Sequence, residues 1–395
     1  MLKSFSDRVS GLQPSAIREI LKFTADPEVI SFAAGNPAPE AFPTDIIAKL
    51  SEDIFREEPI NALQYSITEG YPKLREWLRD DLAKKGLYHD NDMVIITSGA
   101  QQAIETTAKI LCNEGDVIIC EDPAFVGSLN AFRSYGVKLQ GVPMDGDGMM
   151  TDKLEEALKA NPTTKFIYTI PNFQNPTGKT TTLQRRKEIL ALAEKYGVYI
   201  LEDNPYGALR FEGEDIPSIK ELDATGNVIY CGTFSKTLAP GLRVGYLLGA
   251  SELVSKAVVG LQTSTVHTNI WAQMLAYRFL TTVDFDEHLA RLRGIYRHKC
   301  KLMLDGLKAE LPEFIDFTQP QGGLFIWATL PERFNMNEFC KGAVQMKVAV
   351  VPGNAFTADE NAVSHSFRLN YSTPTDEQIE KGVKILGEAA KKLLV

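Results

Sequence analysis

The sequence has little of what marks extracellular, metal-binding or membrane-bound proteins. Five cysteines in 395 residues are an odd number without a C-x-x-C pair, so we expect neither a disulfide scaffold nor a thiolate metal site. The five histidines are scattered and lack the H-E-x-x-H spacing. No apolar run approaches the roughly 18 residues of a membrane span, and the N-terminal residues lack the apolar core of a signal peptide. We therefore expect a cytoplasmic protein without metal or membrane partner.

Clustered positive charge is also missing. The chain has 42 Lys and Arg against 51 Asp and Glu, a net charge of −9. Binding to nucleic acid phosphates needs grouped cations, so nucleic acid is not an expected partner. The hydrophobic content of 44% is ample for a large core. The length of 395 residues predicts two or three domains.

Short apolar runs alternate with helical periodicity between about residues 70 and 250. The predicted strands are 93–97, 117–120, 165–170, 198–202, 228–231 and 244–248, and the predicted helices include 101–111, 182–196 and 251–261. Continuously apolar strands separated by helices are typical of a parallel sheet covered on both faces. This pattern predicts a doubly wound α/β domain whose ligand lies at the carboxyl ends of the strands.

The C-terminal part of the chain has a different pattern. A long helical stretch at about 286–310 precedes predicted strands at 323–329, 348–351 and 366–371, followed by closing helices. The Gly- and Pro-rich segment 33–43 must be irregular. We therefore predict an N-terminal segment, 1–45, that joins a small α+β domain formed by 286–395, with residues 46–285 forming the large α/β domain.

The segment GTFSKTLAPGLRVG, residues 232–245, lies between two predicted strands. It places Lys236 at a strand end, with Thr233, Ser235 and Arg243 in the same loop. Hydroxyls and a guanidinium are ligands for phosphate. An amine near cations can have a lowered pKa, which suits imine chemistry. The alternative is a surface lysine in a Ser- and Gly-containing loop.

A second phosphate signal lies at residues 98–102, between a predicted strand and an amphipathic helix. Gly99 lets the backbone approach an anion, while Ala100 and Gln101 offer free N–H groups at the helix N-terminus. The alternative is a strand–Gly–helix turn that binds nothing. Phe125, after another strand, could stack on a planar ring or simply pack in the core.

Three polar residues follow neighbouring predicted strands. Asp203 ends a buried strand and needs a cationic or protonated partner, which a protonated pyridine nitrogen would supply. Asn175, in Asn-Pro-Thr-Gly, and Tyr206 can both hydrogen-bond a phenolic oxygen. Taken singly, Asp203 could be a helix N-cap and Asn175 a turn residue. Their shared position at strand ends favours one site.

Arg368 lies in SFRLNY, residues 366–371, a predicted strand of the small domain that alternates polar and apolar residues. A lone arginine on such a strand is usually solvated or paired with a carboxylate. If it faces the ligand instead, its planar guanidinium would clamp the carboxylate of a substrate.

Taken together, these motifs resemble the fold type I pyridoxal 5′-phosphate (PLP) enzymes of the aspartate aminotransferase superfamily. Within them the sequence is most similar to the branch of 2-aminoadipate and kynurenine aminotransferases. The resemblance covers essentially the whole chain, including SAIR at 15–18, FAAGNPAP at 32–39 and LQYS at 63–66. It implies the PLP-dependent transferase fold, with a large, mostly parallel doubly wound domain and a smaller α+β domain.

The resemblance assigns cofactor roles to the motif residues. Lys236 would carry PLP as a Schiff base, Asp203 would pair with the pyridine nitrogen, and Asn175 and Tyr206 would hold the phenolic oxygen. The phosphate would be held by Gly99, Ala100, Gln101, Thr233, Ser235 and Arg243, with Phe125 stacking on the ring. Two positions depart from the usual pattern of the branch. Ala100 replaces a common serine and Phe125 a common tyrosine, so each loses a hydroxyl near the cofactor.

The resemblance also implies substrate contacts and a partner subunit. Arg368 and Asn175 would bind the substrate carboxylate, and Gly35 would line the substrate site. Tyr65 would reach the phosphate of the neighbouring subunit's cofactor, which makes the active unit a homodimer. Arg18 would meet a side-chain carboxylate, or is an ordinary exposed helix arginine.

The implied activity moves an amino group from an L-amino acid of the 2-aminoadipate, aromatic or branched aliphatic type to 2-oxoglutarate. Lys236 would take the Cα proton as a general base. One alternative is a PLP-dependent C–S β-lyase or other Cα chemistry on the same fold. Another is an amino-acid-sensing regulatory module, which the acidic charge disfavours.

Overall fold

The computed structural model describes Ser6 and residues 26–394. The first strand, β1 (Ile30–Ser31), lies outside the main sheet. The next seven strands form one sheet in the order β2-β8-β7-β6-β5-β3-β4. Their bounds are β2 Asp92–Thr97, β3 Val117–Asp122, β4 Lys138–Pro143, β5 Thr164–Thr169, β6 Tyr199–Asp203, β7 Val228–Thr233 and β8 Gly245–Ala250.

The main sheet is mostly parallel, as predicted. Only β8 runs against its two neighbours, β2 and β7, while the other pairs are parallel. The edge strand β4 was missed by the sequence prediction. Its residues KLQGVP are mostly exposed or partly buried and end in proline, so they lack the continuous apolar run of the central strands.

Helices cover both faces of this sheet, which accounts for the apolar strands. The helices of this part of the chain are, in order, α1 Thr44–Glu57, α2 Pro59–Leu63, α3 Pro72–Lys84, α4 Ala100–Leu111, α5 Val126–Arg133, α6 Thr151–Ala160, α7 Leu183–Tyr196, α8 Ile219–Leu222, α9 Ser251–Gln262 and α10 Ile270–Thr282. Of these, α1 and α2 pack on α10. Leu154 of α6 and Ile189 of α7 pack with Ile167 and Ile200 of the sheet on one side. Leu74 of α3 and Leu275 of α10 belong to a separate apolar cluster.

A smaller sheet follows the 26-residue helix α11 (Phe285–Glu310). Its strands are β9 Asp316–Phe317, β10 Phe325–Thr329, β12 Val351–Pro352 and β13 Ser366–Asn370, in the order β12-β13-β10-β9. Strand β11 (Val348–Ala349) pairs in parallel with β1, which ties the N-terminal segment to this region. Helices α12 (Met336–Gln345) and α13 (Asp376–Leu394) complete it. The domain boundaries at residues 45 and 285 stay a prediction.

The chain segments that carry the predicted site meet at one edge of the main sheet, the one where its parallel strands end. Thr97, Asp203 and Thr233 are the last residues of β2, β6 and β7. Because β8 is antiparallel, it begins at the same edge, with Gly245 paired to Thr97 and Thr233. The loops after the parallel strands and the loop before β8 therefore meet in one place.

Candidate active site

A cavity of about 350 Å³ lies at this edge. The sequence-predicted residues that line it are Gly35, Ala100, Gln101, Phe125, Asn175, Asp203, Tyr206, Thr233, Ser235, Lys236, Arg243 and Arg368. Phe325, Ile104, Ile170, Asn36 and Pro205 also line it and were not singled out from the sequence. The apolar side chains of Phe325, Ile104 and Ile170 follow no motif, so only their position in the fold reveals them.

Lys236 follows β7 in the loop that leads to β8. Its Nζ donates a hydrogen bond of 2.9 Å to the carbonyl oxygen of Gly35, in the irregular N-terminal segment. Burial, together with the positive charges of Arg368 and Arg243, lowers the pKa of Lys236 to about 8. The neutral amine, the form that forms imines and accepts protons, is therefore accessible near neutral pH.

The turn before α4 and the loop before β8 form a polar pocket. Gly99 has φ +75°, and an added Cβ would lie 2.4 Å from Arg243 Nη2, so only glycine leaves room for the guanidinium. Arg243 Nη2 donates to the Ser98 carbonyl at 3.0 Å. Thr233 Oγ1 donates to Ser235 Oγ at 2.9 Å. Two hydroxyls, a guanidinium and a helix N-terminus are the donor set of a phosphate site.

Gln101 and Phe125 meet at the side of this pocket. The Gln101 side chain donates to the Gly127 carbonyl at 2.9 Å, so its backbone N–H, in the first turn of α4, is the group left for an anion. Phe125 caps α5 and lines the cavity. A Cβ on Gly127 would lie 2.5 Å from the Phe125 ring, so this glycine makes room for the aromatic side chain. Ala100 contributes only backbone polar groups.

Asp203 is 2% exposed at the end of β6. Its Oδ2 accepts a hydrogen bond of 2.9 Å from Tyr168 Oη, and its Oδ1 accepts one of 3.3 Å from Cys231 Sγ. Burial raises the pKa of Asp203 to about 6. The sequence prediction missed Tyr168 and Cys231, because both lie inside apolar strands. Nothing in the sequence shows that the hydroxyl of one and the thiol of the other point toward Asp203.

Arg368 joins the small sheet to this site. Its Nη1 donates to Asn175 Oδ1 at 2.8 Å, and its Nη2 donates to the Ala33 carbonyl at 2.7 Å. Asn175 Nδ2 in turn donates to Tyr206 Oη at 3.4 Å. These contacts place Arg368, the predicted partner of a substrate carboxylate, beside Asn175 and Tyr206, the two residues predicted to bind a phenolic oxygen.

The guanidinium of Arg368 is held between aromatic rings. It lies 4.2 Å from the centre of the Phe325 ring and 4.9 Å from that of Phe356. Burial lowers the pKa of Arg368 to about 10, so the group is still a cation at neutral pH. Its buried Nε has no hydrogen-bond partner among the described residues. A buried cation with a free donor is suited to bind a carboxylate.

Two predicted residues lie apart from this cluster. Tyr65 is 82% exposed, and its ring meets His267 edge-on at 5.9 Å between centroids. Ile60 and Leu63, close to Tyr65 in sequence, and Val266, next to His267, also have exposed apolar side chains. Arg18 lies outside the residues that the structure describes, so its position is not tested.

In the described part of the chain, no group of three or more His, Cys, Asp or Glu residues is arranged to hold a metal ion. None of the helices that the structure describes is long and apolar enough to cross a membrane. The cysteines Cys112, Cys120, Cys231, Cys300 and Cys340 are all unpaired.

The fold and the site define a class of enzyme. The cavity offers an amine of lowered pKa, a buried carboxylate, two ligands for a phenolic oxygen and a phosphate pocket kept open by Gly99. These groups fit the amine-reactive carbonyl, ring nitrogen, phenolic oxygen and phosphate of PLP. The chain therefore has the construction of a fold type I PLP enzyme.

Comparison with known proteins identifies the family. The model of aminotransferase class I and II matches residues 27–386, and the chain belongs to this family. It is 38% identical to aromatic-amino-acid aminotransferase 1 of Thermococcus litoralis, over 99% of this chain and 94% of the relative. It is also 38% identical to the 2-aminoadipate transaminase of Thermus thermophilus, over 99% of this chain and 98% of the relative.

A solved structure agrees with this assignment. Kynurenine aminotransferase of Pyrococcus horikoshii, in complex with PMP, is similar to this chain with a TM-score of 0.95 and 36% identity, over 99% of this chain and 98% of that one. The protein is thus a PLP-dependent aminotransferase, in the branch that includes 2-aminoadipate and kynurenine aminotransferases.

Proposed function

We propose that this aminotransferase moves the amino group of a 2-aminoadipate-type, aromatic or branched aliphatic L-amino acid to 2-oxoglutarate, as a cytoplasmic homodimer with shared active sites. The observation that carries this proposal is the position of Arg368 and Lys236 on one cavity. One group suits a substrate carboxylate, and the other suits a proton transfer at the adjacent Cα. Relatives named for aromatic amino acids, 2-aminoadipate and kynurenine support the choice of donors.

Lys236 is proposed as the residue that carries PLP and moves the Cα proton. When bound, PLP supplies an electron sink for the charge that develops at Cα. The Lys236 amine, with its pKa lowered to about 8, is a base matched to neutral pH. The Gly35 carbonyl accepts a hydrogen bond from Nζ, which fixes the position of the free amine in the cavity.

Arg368 and Asn175 are proposed to orient the substrate. The free Nε and the two terminal nitrogens of Arg368 can meet both oxygens of a carboxylate. The stacking on Phe325 fixes the plane of the guanidinium before substrate binds. A carboxylate held in this way would keep the substrate in one orientation relative to Lys236, which is the positioning that catalysis needs.

The remaining residues are proposed to hold PLP. Asp203 would stabilise a protonated ring nitrogen, and Tyr206 with Asn175 would bind the phenolic oxygen. Thr233, Ser235, Arg243 and the backbone N–H groups of Gly99, Ala100 and Gln101 would hold the phosphate. Phe125 would stack on one ring face. The burial of Asp203 and Tyr206 supports these roles, because it excludes water from the reacting part of the cavity.

A second copy of the chain is proposed to complete each site. Ile60 and Leu63 are exposed near Tyr65 in sequence, and Val266 is exposed next to its ring partner His267; exposed apolar side chains grouped in this way are typical of an interface. We expect Tyr65 to reach the phosphate of the partner's cofactor. Size-exclusion chromatography with light scattering should give twice the mass of 43.8 kDa. A concentration-independent monomer with full activity would reject this part of the proposal.

Substrate choice is tested by measuring glutamate formation from 2-oxoglutarate with a panel of L-amino acids. We expect 2-aminoadipate, phenylalanine, kynurenine and leucine to be donors, and Lys236→Ala to be inactive with all of them. Pyruvate and ammonia released from cystathionine, without glutamate formation from any donor, would favour the C–S β-lyase. A Lys236→Ala variant with the wild-type rate would reject the role of the lysine.

A further inference from the structure

Asp203 is the end of a chain of buried hydrogen bonds. Ser128 Oγ, on α5, donates to Tyr168 Oη at 2.7 Å, and Tyr168 Oη, on β5, donates to Asp203 Oδ2 at 2.9 Å. On the other side, Cys231 Sγ, on β7, donates to Asp203 Oδ1 at 3.3 Å. Ser128, Tyr168 and Cys231 are fully buried, so water does not compete for these contacts.

The donors and acceptors available fix the direction of the hydrogen bonds that run from Ser128 through Tyr168 to Asp203. An ionised carboxylate only accepts hydrogen bonds, and a tyrosine hydroxyl has a single proton to donate. Tyr168 must therefore give its proton to Asp203, and Ser128 must donate to Tyr168. Each donor polarises the next, so the serine strengthens the bond that reaches the carboxylate.

We propose that Tyr168, oriented by Ser128, is a positioning residue that keeps Asp203 ionised and directed at the ring nitrogen of PLP. The inference rests on the role proposed for Asp203. A hydrogen bond to a charged acceptor favours the charged form. Without the Tyr168 hydroxyl, the buried carboxylate becomes more basic, and the proton that it shares with the ring nitrogen shifts toward Asp203.

The other titratable groups around Asp203 do not substitute for Tyr168. They are Cys231 on β7, Tyr206 in the following loop, Glu121 on β3 and the adjacent Glu202. The Cys231 thiol is a weak donor. Tyr206 Oη is paired with Asn175, and Glu121 and Glu202 accept hydrogen bonds from other groups. Tyr168 is thus the strong donor to this carboxylate.

The Tyr168 ring and its hydroxyl have separable functions. The ring packs edge-on against Phe132, with 5.3 Å between ring centroids. Tyr168→Phe therefore removes the hydroxyl and keeps this contact. Ser128→Ala is a second, smaller change that removes only the donor behind Tyr168. Tyr196→Phe is the matched control, because its hydroxyl also donates to a carboxylate, Glu155, at 3.0 Å on a surface helix.

The test follows the ring nitrogen of ¹⁵N-labelled PLP by NMR in the holoenzyme. We expect the ¹⁵N resonance in Tyr168→Phe to move toward the value of an unprotonated pyridine, with a smaller shift in Ser128→Ala and none in Tyr196→Phe. In parallel, kcat should fall by about 10- to 100-fold in Tyr168→Phe while KM changes by less than about 3-fold, because a charged hydrogen bond is lost behind the cofactor.

Asp203→Asn separates the role proposed for Asp203 from the role proposed for Tyr168. If it leaves the ¹⁵N resonance of the wild type unchanged, the role proposed for Asp203 fails. If it shifts the resonance but Tyr168→Phe and Ser128→Ala do not, only the role of Tyr168 is overturned. Should Tyr168→Phe not fold, Ser128→Ala decides the matter alone, and an unshifted resonance there contradicts the inference.

Discussion

Replacing Arg368 by lysine tests the proposed substrate clamp, because the charge is kept while the planar fork is lost. The guanidinium donates to Asn175 Oδ1 and the Ala33 carbonyl, and it stacks on Phe325 and Phe356. A lysine ammonium is a point charge that cannot offer the same paired geometry to a carboxylate. The variant should therefore still bind PLP but discriminate poorly between amino acids and amines that lack a carboxylate.

The size of the effect follows from the bonds that are lost. A hydrogen bond to a charged group contributes about 1.5–3 kcal/mol, so one lost bond lowers kcat/KM by about 10- to 150-fold. The oxygens of Asn175 and Ala33 also lose a buried donor, which adds to the loss. We expect the unfolding temperature to fall in the apo protein for the same reason.

The assay compares L-phenylalanine with phenethylamine, which has the same side chain and no carboxylate. The wild type should prefer phenylalanine strongly, and Arg368→Lys should lose most of that preference while phenethylamine turnover changes little. Arg333→Lys is the control, because Arg333 also stacks on two rings, Phe314 and Phe334, but on the surface. An equal loss of kcat/KM for both amines in Arg368→Lys would refute the clamp.

Three further predictions concern the cofactor and the donor. Gly99→Ala should raise the Kd for PLP by about 10-fold or more, because the added Cβ would meet Arg243 Nη2. Gly115→Ala is the control: Gly115 also has a positive φ but has open space around it, so the Kd should be unchanged. The raised pKa of Asp203 means that its stabilising contribution is complete below pH 3.8 and is lost as the pH rises through about 6. Asp203→Asn should therefore remove about 1–3 kcal/mol of the fall in unfolding free energy that the apo wild type shows over this pH range, measured by urea unfolding. The same variant should lose PLP affinity, and an unchanged pH dependence of apo stability would contradict the reasoning. Arg18→Gln should lower kcat/KM for 2-aminoadipate and glutamate more than for leucine or phenylalanine; equal losses would count against a side-chain carboxylate contact.

Much of the site could be predicted from the sequence because its residues follow strands. Asp203 and Lys236 each come after an apolar run, and the carboxyl ends of parallel strands share an edge, so their proximity follows from topology. The antiparallel direction of β8 was not predicted. The 11 residues between β7 and β8 form no α-helix, and a parallel crossover normally needs one, so the length of this loop was the available signal.

Other parts of the site carry no sequence signal. The carbonyl oxygens of Ala33 and Gly35 accept from Arg368 and Lys236, and every residue type offers a carbonyl. Tyr168 lies in an apolar strand, where a tyrosine ring is as expected as a phenylalanine ring. Only the packing of α5 and β6 on either side decides that its hydroxyl links Ser128 to Asp203.

A single half-reaction shows whether Lys236 and Arg368 serve a PLP-dependent amino transfer. Purified holoenzyme is mixed with L-2-aminoadipate or L-phenylalanine without any oxo acid, and cofactor and product are quantified. We expect one equivalent of pyridoxamine 5′-phosphate and one of the matching 2-oxo acid per subunit, and we expect 2-oxoglutarate to reverse the conversion. Continuous release of ammonia or carbon dioxide, with the cofactor still in its pyridoxal form, would contradict an amino transfer.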